Sequence, residues 1–277
     1  MNKKTISVYG SSGFIGSHFV KKYKEDYNLI KIPRNQDSSE SNEALYFIST
    51  TTNYNVFADA FLDINTNLSK LINVLESNKN KKGFVFNFIS SWFVYGDHGL
   101  NPCSEETYCD PKGFYSITKR AAEQLLISYC ETFNMKYRII RLCNVIGKGD
   151  SFSLKKNALQ KMIDNLKNDD PVSLYDGGQH LRDYLHVHDV CSAINLVIKK
   201  MPVNEIINVG RGESNTISDM IEYAKGITQS NSEITSVEPP NFHKIVQARD
   251  IIIDTRKIQK LGFVPNLNIY ESIKLLI

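Results

Sequence analysis

Apolar and polar positions change period repeatedly along this chain. "KTISVYG" is a short β-rich run ending in glycine, and "FIGSHFVKKYKE" follows it with Phe14, Ile15, Phe19 and Tyr23 at helical spacing. The pair predicts a strand, a turn and a helix. Further strand patterns lie in "NLIKI", "ALYFIST", "GFVFNFISS" and "YRIIRLC", with helical patterns at "NTNLSKLINVLESN" and "SITKRAAEQLLISYCETF" between the later ones. Such alternation predicts an α/β fold whose parallel sheet is covered by helices on both faces.

Two irregularities modify that picture. Between "NLIKI" and "ALYFIST" stands only "PRNQDSSESNE", polar and turn-forming, too short for the helix-plus-strand crossover of a doubly wound half. One outer strand on that side is expected to be missing. From about Ser151 onward, helices mix with short strands and the proline turns "EPPNF" and "FVPNL", which predicts a smaller α/β lobe. The expected division is therefore a first domain over residues 1–150, with return segments from about 181–200, and a second, mainly substrate-binding lobe over 151–277.

With 277 residues and 42% hydrophobic content, the chain can bury a sizeable core in one or two domains. Its formal net charge of +3 is too small to argue for nucleic acid, yet it would not repel a small anionic substrate. The pairs Lys81–Lys82, Lys155–Lys156 and Lys199–Lys200 read as solvated faces. Five cysteines, without CxxC or metal-ligand spacing, predict reduced thiols and no metal site. The start "MNKKTISVYGSS" lacks the apolar stretch of a signal peptide, and no segment approaches the roughly 20 apolar residues that span a bilayer. A cytoplasmic location and no membrane partner are expected.

The first chemical motif is "GSSGFIG", with Gly10, Gly13 and Gly16 where the first strand hands over to the first helix. Gly10 suits a tight turn, Gly13 lets backbone approach a pyrophosphate, and Gly16 permits close helix–strand packing beneath a helix N-terminus. Ser12, Phe14 and Ile15 of the same loop join them as expected cofactor contacts. In the usual fingerprint an acidic residue ends the second strand and binds the ribose hydroxyls, but here Pro33 and Arg34 follow, and no carboxylate appears until Asp37. A guanidinium there suits the 2′-phosphate of NADP(H). An exposed loop arginine is the alternative reading, and NAD(H) the alternative cofactor.

"FYSITKRAAEQ" sets Tyr115 and Lys119 four apart at the start of a helix, on one face. A neighbouring ammonium favours the phenolate, so the spacing predicts a tyrosine whose pKa is lowered toward proton exchange. Alone, YxxxK is a short pattern.

Together with the glycine loop, "SSWFVYG", "RLCNVIGKG", "GGQHLRDYLHVHDV", "INVGRGES" and "LGFVPNLNIYES", however, the chain resembles the extended short-chain dehydrogenase/reductase family, specifically its nucleotide-sugar epimerases, dehydratases and ketoreductases. The resemblance covers nearly the whole length and implies a Rossmann-type fold. It also implies that Ser91 hydrogen-bonds the reacting sugar oxygen, that Tyr115 donates or accepts the proton, and that Lys119 holds the nicotinamide ribose and tunes Tyr115. Thr50 and Asn67 fall at cofactor-lining positions, and Asn144 and Arg182 at positions that hold the nucleotide diphosphate. For Arg182 a salt bridge with Asp183 is the alternative. His186 and His188, two apart, read as framework residues. The chain departs from the family at Lys70, where relatives often have glycine, and at Thr50–Thr51–Thr52, which replaces a small apolar turn.

The resemblance also bears on the reaction. The family's 4,6-dehydratases carry Asp and Glu immediately after the serine or threonine step, where this chain has Trp92 and Phe93, two expected substrate contacts that cannot exchange protons. Elimination is therefore not expected. The reading favoured is an NADPH-dependent 4-ketoreductase acting on a nucleotide-linked 4-keto-deoxysugar. A 4-epimerase is the alternative, and a cofactor-binding sensor without turnover a more distant one. A homodimer is implied, packed through the helices that carry Asn67 and Tyr115.

Overall fold

Period-two side-chain alternation builds the central sheet and decides which helix covers each face. The computed structural model describes residues 3–149 and 158–277. Lys155–Lys156 and the expected boundary at Ser151 lie outside the described residues. Its strands are β1 (Thr5–Tyr9), β2 (Asn28–Ile32), β3 (Glu43–Tyr46), β4 (Val85–Ser91), β5 (Lys136–Leu142), β6 (Asn144–Ile146), β7 (Val172–Tyr175), β8 (Leu181–His186), β9 (Glu205–Val209), β10 (Ser214–Thr216) and β11 (Ile234–Val237). The helices used below are α1 (Phe14–Tyr23), α2 (Lys70–Glu76, preceded by a π-helical turn Ile64–Ser69), α3 (Phe114–Thr132), α4 (Ala158–Lys167), α5 (Val187–Lys200), α6 (Ile217–Thr228) and α7 (Asn241–Val246).

The main sheet is parallel, in the order β2-β1-β3-β4-β5-β9. Ile6, Val8, Leu45, Ile140 and Leu142 face one side, where they pack with Phe19 of α1 and Val190, Ile194 and Val197 of α5. Tyr9, Tyr46, Phe86, Phe88 and Ile139 face the other, against Leu71 and Val74 of α2 and Ala122 and Leu126 of α3. Each fully buried side chain of this size contributes about 1.5–3 kcal/mol before entropy is charged against it.

β2 is an edge strand, and among the described residues no strand lies outside it. The connection to β3 carries neither helix nor strand. Side chains fix it instead: Ser41 Oγ accepts from the Ser7 amide at 3.0 Å, Asn78 Oδ1 from the Ser39 amide at 2.9 Å, and the Asp37 carbonyl from the Tyr9 hydroxyl at 2.7 Å. Its backbone groups thus find partners without regular structure. β3 stops at Tyr46, short of the "ALYFIST" expected, because the Thr50 amide donates to the Asn67 side chain at 3.0 Å instead of to a ladder.

The second lobe has its own core, in which Leu159 and Ile163 of α4, Leu174 of β7 and Met220 and Ile221 of α6 pack together. The expected return at 181–200 includes α5, which packs on the main sheet. β8 belongs to a small sheet with β6 and β10, while the segment that returns to the main sheet is α5 followed by β9, ending at Val209. "EIINV" is apolar enough to join the main sheet, where it forms the edge beside β5, but its five residues gave no period to distinguish it from the lobe's strands. β1 is flanked by β2 and β3, so the chain reverses its direction of winding there, and ligands of such sheets bind at this switch point beyond the strand ends.

Candidate active site

The glycine turn lies at that switch point. Gly10 has φ of +71°, and a Cβ on Gly16 would stand 2.3 Å from the Gly10 carbonyl oxygen, so α1 starts against the turn only because no side chain intervenes. Gly13, Phe14, Ile15 and Gly16 line one end of a cavity of about 260 Å³; Tyr115 and Lys119 line the other. Gly10 shapes the turn from behind. A glycine turn at a helix start and a buried lysine lining one cavity are compatible with a dinucleotide.

Ser91 ends β4, and its Oγ accepts from the Phe93 amide at 3.3 Å, which leaves the hydroxyl hydrogen to donate into the cavity. Tyr115 sits in the first turn of α3, whose start is fixed by Asn53: its side-chain Oδ1 accepts from the Ser116 amide at 3.1 Å. Lys119 follows one turn later. Its ammonium donates to the Ile89 carbonyl at 2.7 Å and lies 4.0 Å from the centroid of the Phe88 ring.

Electrostatics run against the sequence expectation. Burial pushes the Tyr115 phenol up to about 12, with the Ser91 and Ser49 hydroxyls pulling it down and Asp63 adding to the rise. Burial likewise brings Lys119 down to about 7, opposed by Glu123 one turn on. Desolvation outweighs the pairing that the spacing suggested, because both groups are buried, Tyr115 against Phe93 and Lys119 against Phe88.

Thr50 and Asn67 stand in one polar chain. The Thr50 hydroxyl donates to Asp63; Asn67 Nδ2 donates to Thr50 Oγ1 at 2.8 Å and to Thr118 Oγ1 at 2.9 Å; Thr118 donates to the Tyr115 carbonyl at 3.0 Å. Thr50 lines the cavity, whereas Asn67 lies behind it and positions it. Neither Asn53 nor Asp63 was singled out by the sequence, and both are buried. Arg34 is exposed, away from the cavity wall, as is Ser12. The Lys70 ammonium donates to the Arg34 carbonyl at 2.9 Å and pairs with Asp37, the carboxylate nearest Arg34 in sequence.

A second cavity, of about 600 Å³, opens from the first between the two lobes, and Trp92, Phe93 and Asn144 line both. The Trp92 and Phe93 rings stack at 4.0 Å, and Phe93 meets Tyr115 edge-on at 5.7 Å. The indole N–H donates to Asn144 Oδ1 at 3.2 Å, while Asn144 Nδ2 donates to the Asp183 carbonyl at 3.1 Å. Arg182 lies over the Trp92 ring at 5.8 Å and donates to the carbonyls of Leu181, Ala248 and Arg249. It makes no salt bridge with Asp183, whose carboxylate accepts instead from the amides of Arg211 and Gly212 at 3.0 and 2.9 Å. The cavity also brings in Tyr54, His180 and His243, which the sequence gave no reason to group.

A doubly wound sheet with a glycine turn at its switch point, a Ser–Tyr–Lys set above it and a second cavity adjoining defines an extended short-chain dehydrogenase/reductase. The chain belongs to the NAD dependent epimerase/dehydratase family, whose model matches residues 46–210. It is 27% identical to a putative UDP-glucose 4-epimerase of Methanocaldococcus jannaschii, over 97% of this chain and 96% of that one. It is 26% identical to the GDP-6-deoxy-D-mannose reductase of Pseudomonas aeruginosa, over 97% and 94%. Among solved structures, the UDP-glucose 4-epimerase of Thermotoga maritima with UDP-glucose superimposes with a TM-score of 0.87 at 25% identity, covering 98% of this chain and 97% of that one. These relatives include both epimerases and reductases of nucleotide sugars.

Proposed function

We propose that this protein is an NADPH-dependent reductase of the 4-keto group of a nucleotide-diphosphate-linked 4-keto-deoxysugar. One observation carries the reading. Where the two cavities meet, the wall is the Trp92–Phe93 stack, and among the described residues no carboxylate lines either cavity. Elimination needs a paired acid and base at the sugar; carbonyl reduction needs only donors at one oxygen.

Ser91 and Tyr115 are those donors. Negative charge builds on the carbonyl oxygen during reduction, and a phenol held near pKa 12 is fully protonated at neutral pH, ready to give its proton to that oxygen. Lys119 holds the nicotinamide ribose and presents positive charge beneath Tyr115. When bound, the nicotinamide supplies the hydride. Asn144 and Arg182 grip the diphosphate, with Trp92 holding both in place. The choice of NADPH draws on Arg34, whose guanidinium is exposed, and on Lys70, which engages the neighbouring Asp37 carboxylate. Ile72 of α2 and Ile117 and Leu125 of α3 are exposed on neighbouring helices, and this face suits a homodimer.

A 4-epimerase is the second reading, favoured by the likeness to the Methanocaldococcus and Thermotoga proteins. Incubation with NADPH and a panel of nucleotide-linked 4-keto-6-deoxysugars separates the two. One NADPH oxidised per reduced sugar supports the reductase. Interconversion of two intact nucleotide sugars with no net cofactor oxidation refutes it in favour of the epimerase.

A further inference from the structure

The larger cavity is one-sided in charge. Lys161, His180, Arg182 and His243 line it, with no carboxylate among the described residues. Arg182 is bound by carbonyl oxygens and an indole face, and no acidic group among the described residues pairs with it. Asp250 and Asp97 act on it electrostatically, but neither forms a salt bridge with it, and a buried guanidinium with no contacting carboxylate is suited to an anionic ligand.

The two histidines line the same cavity as that guanidinium, and its charge acts on both. His243, on α7, shares a hydrogen bond of 2.9 Å between Nδ1 and the Tyr54 hydroxyl, and its ring lies 4.7 Å from that of Tyr175. His180, in the turn before β8, holds Nε2 3.4 Å from an Asp176 oxygen, and its buried Nδ1 has no hydrogen-bond partner. The charged groups acting on His180 are Arg182, Asp176, Asp250 and Arg249; those acting on His243 are Arg182, His180 and Asp176. Lys244, next to His243, is paired with Glu238.

We propose that His180 and His243 belong to the same anion-binding wall as Arg182 and take up protons from solvent when the diphosphate of the substrate binds there, so that substrate affinity rises as pH falls. The inference rests on reading the substrate as a nucleotide-diphosphate sugar. In the free protein burial, then Arg182, hold both imidazoles below their usual pKa, His243 at about 4, so they are neutral at pH 7. An anion beside Arg182 offsets its repulsion and adds attraction, raising both pKa values. Affinity is then linked to proton uptake above the free-state pKa and below the bound-state one. The effect belongs to substrate binding and leaves the proton delivered by Tyr115 untouched.

The test is calorimetric titration of the NADPH-loaded protein with UDP-glucose, dTDP-glucose and GDP-mannose. Their phosphates are diesters that do not titrate near neutral pH, so any proton taken up comes to the protein. Titrations run at several values between about pH 6 and 8, in two buffers of different ionisation enthalpy. The expected result is a heat that depends on the buffer through proton uptake, and a Kd that falls by up to about tenfold per pH unit for each histidine protonated. His243→Gln and His180→Gln should each reduce the uptake, and Tyr115→Phe should not. Binding with no uptake and a pH-independent Kd in the unmodified protein overturns the inference while leaving the nucleotide-sugar reading intact. Uptake that survives both glutamine substitutions also overturns it. Failure of all three compounds to bind at any pH overturns the reading and the inference together.

Discussion

Glu123 connects the stability of the fold to the state of Lys119, and Glu123→Gln tests both. Its carboxylate has no exposure; it accepts from Arg141 Nε at 2.9 Å, from the Arg141 terminal nitrogen at 2.8 Å and from Arg120 at 2.9 Å. Arg141 is 1% exposed, and beyond this pair it donates to the Tyr95 hydroxyl at 3.1 Å and the Glu105 carbonyl at 3.3 Å, neither of them charged. Glutamine preserves the shape, removes the charge and turns one N–H-bearing end toward a guanidinium that can only donate. Leaving a buried charge without its partner costs about 3–5 kcal/mol. At about 2–4 °C per kcal/mol for a chain of this size, Tm should fall by roughly 6–20 °C, read by scanning calorimetry at pH 7. Glu123 is also the group that holds the Lys119 ammonium up against burial. Without it the Lys119 pKa drops further from about 7, less ammonium remains at neutral pH, and the fall in turnover with rising pH begins at lower pH. A Tm within about 2 °C of the parent refutes the energetic argument. A large Tm loss with an unmoved alkaline limb refutes the link to Lys119.

Three further substitutions probe the site. Tyr115→Phe should lower turnover by about 10²–10⁴-fold while leaving NADPH binding within a factor of about two, measured by steady-state kinetics and fluorescence titration. Trp92→Phe removes the indole donor to Asn144 Oδ1; a net hydrogen-bond contribution of about 0.5–1.5 kcal/mol predicts a roughly 2- to 13-fold rise in KM for the nucleotide sugar with kcat little changed. Gly16→Ala places a Cβ 2.3 Å from the Gly10 oxygen and must open the turn, weakening NADPH binding by about 5- to 150-fold on the scale of overpacking costs.

Local periods were legible and distant partnerships were not. Phe86 and Phe88 alternate with Asn87 and Ile89, and such a period survives whatever the strand packs against. Tyr115 and Lys119 were legible because one helical turn brings them to one face without help from the rest of the chain. Asn53 and Asp63 were not, because their roles depend on partners 63 and 13 residues away. His243 meets Tyr54 across 189 residues, and no period carries such a contact. The pKa directions of Tyr115 and Lys119 escaped for a related reason: sequence spacing reports the nearest charge, whereas desolvation depends on everything that covers the group. The extra reach of the returning segment to Val209 was hidden by the brevity of β9.

The same stack that argues against elimination also bears on the choice between reduction and epimerisation. A 4-epimerase must return hydride to the opposite face of its keto sugar, so the ring has to turn over within the cavity while the nucleotide stays bound. Here the wall at the reacting end is Trp92, 2% exposed, stacked on Phe93 and anchored through Asn144 and Arg182. Those two anchors are the side chains proposed to grip the diphosphate. On that reading the sugar's tether and the wall beside its reacting end are held by one packed group, and any turning of the ring that displaced the wall would disturb the tether as well. Buried aromatic packing of this kind resists such movement, because a displaced ring forfeits contacts on both of its faces. The physical argument therefore favours hydride delivery to a single face, as one-way reduction requires.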